Sequence, residues 1–354
     1  MRVLVTGHLG YIGTVLTPML TAAGHKVVGL DSDLFRRCTF IGSIADVPSL
    51  SKDVRDVEAA DLAGFDAVIH LAGLSNDPLG DYRPELTEAI NYRASVRLAH
   101  LAKASGVKRF LFASSCSNYG AADDTFLTED APSKPVTPYG ESKVQAEHDI
   151  SQLADATFSP VYIRASTAYG VSPRLRFDLV VNNLTAWAFT TGRVYIKSDG
   201  TPWRPVVHVS DIARAYCAAL NAPREAIHNQ PFNIGLTTEN YQIKELAEIV
   251  RETVPGSAID FAPDAGPDKR CYRVDCNRIA RLLPDYKPQW TARRGVQGLY
   301  EAYQTVGLTL DEFEGVRYKR IAHVKELLAE GVLDADLRWV NASGEERSYA
   351  STVL

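Results

Sequence analysis

A tyrosine and a lysine four positions apart are the residues of this chain whose types and spacing point most directly to chemistry. Tyr139 and Lys143 lie in the stretch 138–143, Pro-Tyr-Gly-Glu-Ser-Lys. On a helix, two side chains at this spacing share one face, one turn apart. A phenol has a pKa of about 10, but a neighbouring ammonium group favours the phenolate and lowers that value. The pair therefore predicts an acid/base that exchanges a proton with an alcohol or sugar hydroxyl.

Such a pair does this chemistry beside a nicotinamide, and the start of the chain predicts a site for one. Residues 2–6 are typical of a buried strand, and an apolar-periodic segment to about residue 23 is typical of a helix. Between them lie three glycines with the spacing G-x-x-G-x-x-G. Glycines there allow a tight turn, close approach of the backbone to a pyrophosphate, and close helix–strand packing. The cofactor contacts predicted here are Gly7, Gly10, Tyr11, Ile12 and Gly13.

An aspartate ends the second predicted strand, where a dinucleotide would place its adenosine ribose. Asp31 directly follows the stretch 26–30. A carboxylate there accepts hydrogen bonds from ribose hydroxyls and repels a 2′-phosphate, so it favours NAD over NADP. Two alternatives stay open: a strand-end cap for Asp31, and NADP, which the nearby Arg36 and Arg37 would accommodate.

The order of the predicted elements indicates the fold class. Strand-like and helix-like stretches alternate from residue 2 to about residue 153. Alternation of this kind predicts an α/β fold with a parallel, doubly wound sheet of the Rossmann type.

The composition argues against several classes of protein. The 354 residues carry a formal net charge of −5 and no dense run of lysine and arginine, so neither nucleic acid nor a membrane surface is an expected partner. No apolar run approaches the roughly 20 residues of a membrane span, and no charged leader precedes the first strand at Arg2. Five scattered cysteines without a C-x-x-C pair indicate reduced thiols. The sequence therefore predicts a soluble, cytoplasmic protein.

Further motifs extend these signals along the chain, and their combination is specific. From residue 1 to about residue 304 the sequence resembles the extended short-chain dehydrogenase/reductases, in particular their nucleotide-sugar epimerase/dehydratase group. This resemblance implies an NAD-dependent enzyme whose substrate is a nucleoside diphosphate sugar linked to UDP, dTDP or GDP. The motifs that carry it are Thr6-Gly7-x-x-Gly10-x-x-Gly13, Asp31, Asp53-Val54, His70-Leu71-Ala72-Gly73, Ser114-Ser115, Tyr139-x-x-x-Lys143, Arg164-x-x-Thr167-x-Tyr169-Gly170, Asp199-Gly200-Thr201-x-x-Arg204, Val207-His208-Val209-x-Asp211 and Phe232-Asn233-Ile234-Gly235.

The resemblance also implies how the chain is divided. An NAD-binding Rossmann domain would span residues 1–170, with returning segments near 205–235. A smaller, interleaved C-terminal substrate-binding lobe would lie mainly in residues 171–305. The extension 306–354 falls outside the resemblance, and its only hypothesis is a lid or an arm at a dimer edge.

Cofactor contacts beyond the glycine loop are implied by the same resemblance. Asp53 and Val54 would line the adenine pocket, and Asn91 would order the active-site backbone or a water. Small residues after the fourth predicted strand suit close passage of the cofactor. The remaining implied cofactor-binding residues are Leu71, Ala72, Gly73, Ser114, Tyr139 and Lys143.

Catalytic and substrate-binding residues are implied as well. Ser115 would hydrogen-bond the reacting sugar hydroxyl, Tyr139 would be the acid/base, and Lys143 would bind the nicotinamide ribose. Guanidinium groups suit bidentate recognition of a diphosphate, although a surface ion pair is the alternative for each arginine. The implied substrate-binding residues are Ser115, Ser117, Thr167, Asn182, Asn183, Arg204 and Arg270. Asn182 and Asn183 are alternatives for a single phosphate-binding asparagine.

The residues after Ser115 help to choose between reactions. Relatives that eliminate water or decarboxylate a sugar acid carry glutamate two positions after the catalytic serine or threonine, whereas this chain has Cys116 and Ser117. The leading prediction is therefore NAD-dependent C4 epimerisation of a nucleoside diphosphate sugar through a keto intermediate. The alternatives are an NAD(P)H-dependent reductase or dehydrogenase of a keto-sugar or other carbonyl, a 4,6-dehydratase or decarboxylase, and a non-catalytic dinucleotide sensor. Thr167 replaces an asparagine of the family, which leaves the sugar open.

Several other residues are interpreted as structural. Cys116 is expected to be a packed thiol, the alternative being an acid/base for carbon-acid epimerisation. His8, His70 and His208 are expected to be structural, with a local hydrogen bond for His208, and no metal site is predicted. The predicted helices 91–106 and 139–153 resemble those that pair across a two-fold axis in the family, so a homodimer is expected.

Overall fold

The computed structural model describes residues 1–75, 82–266 and 270–340. Seven parallel strands form the main sheet, in the order β3-β2-β1-β4-β5-β7-β11 of the strands given at the end of this paragraph. This order runs outward in both directions from β1, as expected for a doubly wound sheet. In chain order the strands are β1 (Arg2–Thr6), β2 (Lys26–Asp31), β3 (Ser49–Ser51), β4 (Ala67–His70), β5 (Arg109–Ser115), β6 (Ala121–Leu127), β7 (Ser159–Ala165), β8 (Thr167–Tyr169), β9 (Arg193–Ser198), β10 (Trp203–His208), β11 (Gln230–Ile234), β12 (Asn240–Gln242), β13 (Ala258–Gly266) and β14 (Cys271–Val274).

Helices cover both faces of the main sheet. The α-helices of the described residues are α1 (Gly13–Ala22), α2 (Pro84–Thr87), α3 (Ala94–Ala104), α4 (Pro138–Ser151), α5 (Val180–Thr191), α6 (Val209–Asn221), α7 (Arg224–Ile227), α8 (Ile243–Thr253), α9 (Asn277–Leu282), α10 (Ala292–Val306), α11 (Leu310–Glu314) and α12 (Arg320–Ala329). Short 3-10 helices occur at Val54–Asp56, Ala59–Leu62 and Cys116–Tyr119.

Side chains alternate between the two faces along each strand, as the pleat of a strand requires. In β1, Val3 and Val5 join the apolar cluster that contains residues of α1 and α6. Leu4, between them, joins the opposite cluster, which contains residues of α3 and α4. Because both faces of the inner strands are buried, β1 and β4 are apolar over most of their length. The α/β, doubly wound parallel sheet predicted from the sequence is thereby confirmed.

A second core lies beside the sheet and belongs mainly to the later half of the chain. Apolar residues of α5, α8, α10 and β9 form it, among them Leu184, Leu246 and Val296. Burying each such side chain contributes roughly 1.5–3 kcal/mol. Three small sheets accompany this core: β8-β10-β12, β9-β13 and β6-β14.

The two parts interleave in sequence. Strand β11 follows the helices α5 and α6, yet it pairs in parallel with β7 at the edge of the main sheet. By contrast, β10 pairs with β8 and β12 in a separate sheet. The proposed boundaries at residues 170 and 305 stay a prediction.

One helix starts differently from the sequence prediction. Instead of an α-helix from residue 91, the chain forms a π-helical turn at Glu88–Arg93, and α3 begins at Ala94. A π turn widens the helix locally and is frequent at functional sites. Here it contains Asn91, whose side chain is fully buried.

No helix in the described part of the chain is both long enough and apolar enough to cross a membrane.

Candidate functional site

The loop between β1 and α1 is shaped by glycines that no other residue could replace. Gly7 has φ +74°, and a Cβ on it would lie 2.6 Å from the backbone nitrogen of Ala72. A Cβ on Gly13 would lie 2.3 Å from the carbonyl oxygen of Gly7. Both distances are far inside van der Waals contact, so the loop, β4 and α1 approach one another as closely as backbone allows. A cradle of this kind at a helix N-terminus fits the phosphates of a dinucleotide.

Two aspartates lie at the same edge of the sheet as this loop, the edge formed by the carboxyl ends of the strands. The Asp31 carboxylate accepts hydrogen bonds from the backbone nitrogens of Leu9 (3.0 Å) and Asp33 (2.8 Å). Burial raises the pKa of Asp31, and these two amides act against that rise. Asp53 is paired with Arg55 at 2.7 Å; burial acts to raise its pKa, but Arg55 outweighs burial and the pKa is lowered.

These elements enclose what we call the glycine-loop cavity. Eleven of the predicted cofactor-binding residues line it: Gly7, Gly10, Tyr11, Ile12, Gly13, Asp31, Asp53, Val54, Leu71, Ala72 and Gly73. These residues follow the ends of four strands, and the fold brings them together at one cavity, as predicted from the sequence.

Asn91 lies behind the wall of this cavity. Its Oδ1 accepts from the backbone nitrogen of Leu74 at 2.7 Å, and its Nδ2 donates to the carbonyl of the same residue at 2.8 Å. A Cβ on Gly73 would come within 2.9 Å of that Oδ1 and 3.9 Å of the Lys143 ammonium nitrogen. Asn91 therefore holds the chain that leaves β4 next to Lys143.

Helix α4 positions the tyrosine and the lysine. It begins at Pro138, a residue suited to the first helical position, and the Thr137 hydroxyl accepts from the backbone nitrogen of Gly140 at 3.2 Å. The Lys143 nitrogen lies 5.7 Å from the centre of the Tyr139 ring and 4.8 Å from that of Phe112. Burial lowers the pKa of Lys143 to about 8, and Glu147 opposes that effect. At neutral pH the amine is still mainly protonated.

A buried network supports this helix from below, and sequence reasoning missed its central residue. Glu147 is one turn beyond Lys143 and pairs with Arg164 of β7 at 2.6 Å. The same carboxylate accepts from the Ser114 hydroxyl and, at 3.1 Å, from the Asn118 amide. The signal was available, since positions 139, 143 and 147 share one helix face. Through Glu147, α4 is fixed to the strand that ends in Ser115.

Tyr139 and Lys143 line a second space, which we call the tyrosine cavity. It adjoins the glycine-loop cavity, and Ile12, Leu71, Gly73 and Arg176 are among the residues that line both. The predicted residues that line the tyrosine cavity are Ser114, Ser115, Ser117, Tyr139, Lys143, Thr167, Arg204 and Arg270.

Ser115 ends β5 and caps the short helix that follows. Its Oγ accepts from the backbone nitrogen of Ser117 at 3.1 Å. A hydroxyl carries one proton and two acceptor positions, so this contact leaves the Ser115 proton available to a ligand.

The two predicted diphosphate arginines lie together. Arg204 of β10 is largely buried, and its guanidinium donates to the carbonyls of Trp203 (2.9 Å) and Arg270. Both side chains line the tyrosine cavity. Two cations on one wall of a cavity suit an anionic ligand.

The two candidate asparagines of α5 lie elsewhere. Asn182 is fully buried; it accepts from the backbone nitrogen of Gly170 and donates to the carbonyl of Arg176, both at 2.9 Å. Asn183 donates to the carbonyl of Phe177 at 2.9 Å. Neither lines the tyrosine cavity. Their amides complete the backbone hydrogen bonding at the start of α5, and we do not assign them to a ligand.

Cys116 points away from both cavities. It is fully buried, and its thiol donates to the carbonyl of Arg164 at 3.2 Å. Burial raises the pKa of this thiol to about 12. It is therefore a protonated, packed side chain at neutral pH.

The three histidines are held by local contacts. His70 bridges the hydroxyls of Thr6 (2.6 Å) and Ser95 (2.7 Å), and burial lowers its pKa to about 3. His208 stacks on Trp290 at 3.9 Å and accepts from the backbone nitrogen of Ser210. His8 packs beneath the loop against Gly29. The described residues contain no group of three or more His, Cys, Asp or Glu arranged to hold a metal ion.

Some residues that line the cavities carried no sequence signal. Arg176 lines both cavities and is paired with Asp178 at 2.5 Å. Arg320 and Leu337 come from the C-terminal extension and line the glycine-loop cavity. They reach it through tertiary contacts that no local spacing reveals.

Comparison with known proteins gives this geometry a family. A model of the NAD dependent epimerase/dehydratase family matches residues 3–235. The chain is 30% identical over 267 residues to UDP-glucose 4-epimerase of Corynebacterium glutamicum, covering 71% of this chain and 80% of that protein. It is 27% identical over 325 residues to UDP-glucuronic acid decarboxylase 1 of Arabidopsis thaliana, covering 89% and 73%. Sequence similarity alone therefore does not choose the reaction.

A solved structure shows the same architecture. MoeE5, in complex with UDP-glucuronic acid and NAD, superposes with a TM-score of 0.75 at 27% identity. The match covers 86% of this chain and 99% of that one.

Proposed function

This chain belongs to the NAD-dependent epimerase/dehydratase family, and from that premise we propose that it is a nucleoside-diphosphate-sugar 4-epimerase. Its cofactor is NAD, and the enzyme is of the extended short-chain dehydrogenase/reductase type. One observation supports the proposal most strongly: Ser115, Tyr139 and Lys143 line the same cavity. Among the described residues, the one carboxylate that lines this cavity is that of Asp178, and it is already paired with Arg176.

The proposed roles follow from the positions of the side chains. Tyr139 removes the proton of the C4 hydroxyl and later returns it, and Lys143 stabilises its phenolate. Ser115 donates its free proton to the C4 oxygen, where charge develops. When bound, NAD would supply reversible hydride transfer at C4, and inversion would follow when the keto sugar presents its other face to the cofactor.

The acidic residue of the tyrosine cavity argues against elimination. Asp178 receives two hydrogen bonds from Arg176, at 3.1 Å and 2.5 Å. Burial acts to raise its pKa, but Arg176 outweighs burial and lowers it, so the carboxylate is ionised and engaged. In the part of the chain that the structure describes, no other carboxylate lines this cavity. A 4,6-dehydratase or decarboxylase needs an acid/base there, which supports epimerisation instead.

The substrate is proposed to be a nucleoside diphosphate sugar. Arg204 and Arg270 would bind its diphosphate, and Ser117 and Thr167, which line the same cavity, would contact the sugar. UDP-sugars are the first to test, because UDP-glucose names the Corynebacterium relative and UDP-glucuronic acid is bound to MoeE5.

A sugar deuterated at C4 tests the reaction directly. The purified protein is incubated with C4-deuterated UDP-, dTDP- or GDP-sugars without added cofactor, and the products are analysed by NMR. We expect C4 inversion with deuterium retained at C4, and near-stoichiometric NAD released when the enzyme is denatured. Deuterium found at C6 would instead identify a 4,6-dehydratase.

The reductase alternative predicts no product in that assay, because no cofactor is added and the sugar is already reduced at C4. A net reductase would require added NAD(P)H and would consume it in proportion to product. It would also be purified with an empty site that fills reversibly. Either result would overturn the epimerase proposal while leaving the family membership intact.

We also propose a homodimer formed through α3 and α4. The two helices pack on one face of the sheet, and the Tyr92 hydroxyl, in the π-helical turn before α3, donates to the Asp149 carboxylate of α4 at 2.5 Å. Light scattering that gives twice the 38.8 kDa chain mass is expected, and a monomer mass would refute the dimer. A cytoplasmic location stays a prediction.

A further inference from the structure

Residues 320–340, which we call the C-terminal segment, pack across the beginning of the chain. The Trp339 indole nitrogen donates to the carbonyl of Ser32 at 2.5 Å, and the Arg36 guanidinium lies 3.9 Å from the centre of the Trp339 ring system. The Arg55 guanidinium donates to the carbonyl of Asp336 at 2.9 Å. These contacts attach the segment to the loops after β2 and β3, beside Asp31 and Asp53.

The segment forms part of the glycine-loop cavity itself. Leu337 lines the cavity and is 2% exposed, in the apolar cluster that contains Val54. Arg320, at the start of α12, lines the same cavity. One apolar and one cationic side chain of the C-terminal segment therefore line the glycine-loop cavity, and the apolar one packs in the cluster of Val54.

Arg320 is held firmly but is not satisfied by the protein. Its side chain lies 4.0 Å over the Phe35 ring, and its Nη2 donates to the carbonyl of Arg174 at 2.9 Å. The residue is only 5% exposed, yet its Nη1 has no hydrogen-bond partner among the described residues. A buried guanidinium nitrogen without a partner is costly, so it is expected to be satisfied by an ordered water, an ion or a ligand.

The charges around Arg320 favour an anion. Arg174 and Arg176 lie nearby, and each already has a carboxylate partner, Asp33 at 3.0 Å and Asp178 at 2.5 Å. That leaves the Arg320 charge without a carboxylate of its own in the described structure. Burial lowers the pKa of Arg320 to about 10; Arg176 and Arg174 act in the same direction, whereas Cys38 and Asp178 oppose it.

We propose that Arg320 binds a phosphate oxygen of NAD and that the C-terminal segment covers the adenosine end of the bound cofactor. The cavity is the cofactor site of the family, and its phosphates are the anions it is built to hold. The ribose 2′ position is the less suitable place, because the Asp31 carboxylate lines that end of the cavity and repels a 2′-phosphate. This inference concerns the cofactor alone and does not depend on which sugar is the substrate.

Nucleotide binding to the nucleotide-free full chain tests the role of Arg320. Affinities for NAD, ADP, 2′-AMP and adenosine are measured by calorimetry for wild type, Arg320→Gln and Arg320→Lys. We expect Arg320→Gln to weaken NAD and ADP by about tenfold or more and adenosine by less than threefold, since a charge-assisted hydrogen bond is lost. Arg320→Lys should lie between. Lys325→Gln, which removes an exposed charge from the same helix, should bind all four as wild type does.

Three results would overturn the assignment. If Arg320→Gln bound ADP as tightly as Lys325→Gln does, Arg320 would not contact a phosphate. Equal losses for ADP and adenosine would make Arg320 merely structural. If wild type bound 2′-AMP more tightly than ADP and Arg320→Gln lost that preference, Arg320 would contact a 2′-phosphate on the ribose and not the diphosphate.

A second variant tests whether the C-terminal segment covers the cofactor, without changing a residue that lines the cavity. It also keeps the proposal testable if Arg320→Gln does not fold. Trp339→Ala removes the attachment to Ser32 and Arg36 and leaves Arg320 in place. We expect NAD to dissociate about five- to tenfold faster, measured by displacement with excess labelled NAD. An unchanged dissociation rate in a folded Trp339→Ala protein would overturn the covering role.

Discussion

The glycine-loop cavity and the tyrosine cavity are each assigned a diphosphate, yet they are built from different groups. In the first, the backbone of the loop 7–13 would contact the phosphates, and its glycines let the loop pack closely against the end of β4 and the start of α1. In the second, Arg204 and Arg270 present guanidinium side chains. A backbone amide is fixed by its turn, whereas a buried guanidinium must be desolvated and held by other residues. The first kind of site is encoded locally, and the second depends on the tertiary fold.

The largest expected effect lies where the two cavities meet. Tyr139→Phe should reduce turnover by about 1,000-fold, because the acid/base is lost while the ring still packs. NAD content should stay near wild type, because the glycine-loop cavity is untouched. Turnover is measured with the sugar identified in the deuterium experiment, and NAD is measured by chromatography after denaturation. Substantial remaining activity would remove the tyrosine from its role.

The substrate side can be weakened without the cofactor side. Arg204→Met should raise the KM for the nucleotide sugar by about 10- to 100-fold, because charge-assisted hydrogen bonds to the diphosphate are lost. Bound NAD should not change. Arg193→Met is the matched control, since Arg193 is exposed on β9, the strand that precedes β10 in the chain, and pairs with Asp260. A loss of bound NAD in Arg204→Met would show that a change in the tyrosine cavity also weakens cofactor binding in the glycine-loop cavity.

A buried cation in the tyrosine cavity should also affect stability. The pKa of Lys143 is about 8 in the folded protein against an ordinary value of 10.5, so between these pH values the unfolded chain binds more protons and wild-type stability rises with pH. Lys143→Met removes this dependence. The nucleotide-free variant should be about 1–2 kcal/mol more stable than wild type at pH 7, with a difference that shrinks toward pH 10, although turnover is lost.

Urea unfolding at both pH values measures this difference. Lys325→Met is the control, because that lysine is exposed and its removal should change stability little. A Lys143→Met protein that is less stable than wild type at pH 7 would mean that the contacts of the lysine outweigh the burial of its charge.

The smallest effect is expected at Cys116, which is buried, whereas its neighbour Ser115 faces the cavity. Cys116→Ala should change turnover less than twofold and lower stability by about 1 kcal/mol, because the thiol is packed behind the cavity. Ser115→Ala, one residue earlier, should reduce turnover clearly, because that hydroxyl faces the cavity. A large loss in Cys116→Ala would reopen carbon-acid epimerisation.

The contrast between local and tertiary encoding also explains what the sequence could predict. The parallel sheet, the glycine loop and the Tyr139–Lys143 pair depend on short spacings, and the structure places them as expected. The Glu147–Arg164 pair was missed because a helical spacing does not reveal that β7 supplies the partner. Asn182 and Asn183 were assigned by family resemblance, but their amides serve the backbone. Arg320 was missed because its cavity is formed by residues from the other end of the chain.

The attachment of the C-terminal segment has a consequence for biosynthesis. Val54 and Leu337 line the same cavity, although about 280 residues separate them along the chain. At about 5–20 residues per second, a ribosome needs roughly 15–60 s to pass from the first to the second. A nascent chain can fold its early strands in that interval, but its dinucleotide pocket still lacks one wall. Stable capture of the cofactor is therefore expected only after Leu337 has been synthesised and has left the ribosome.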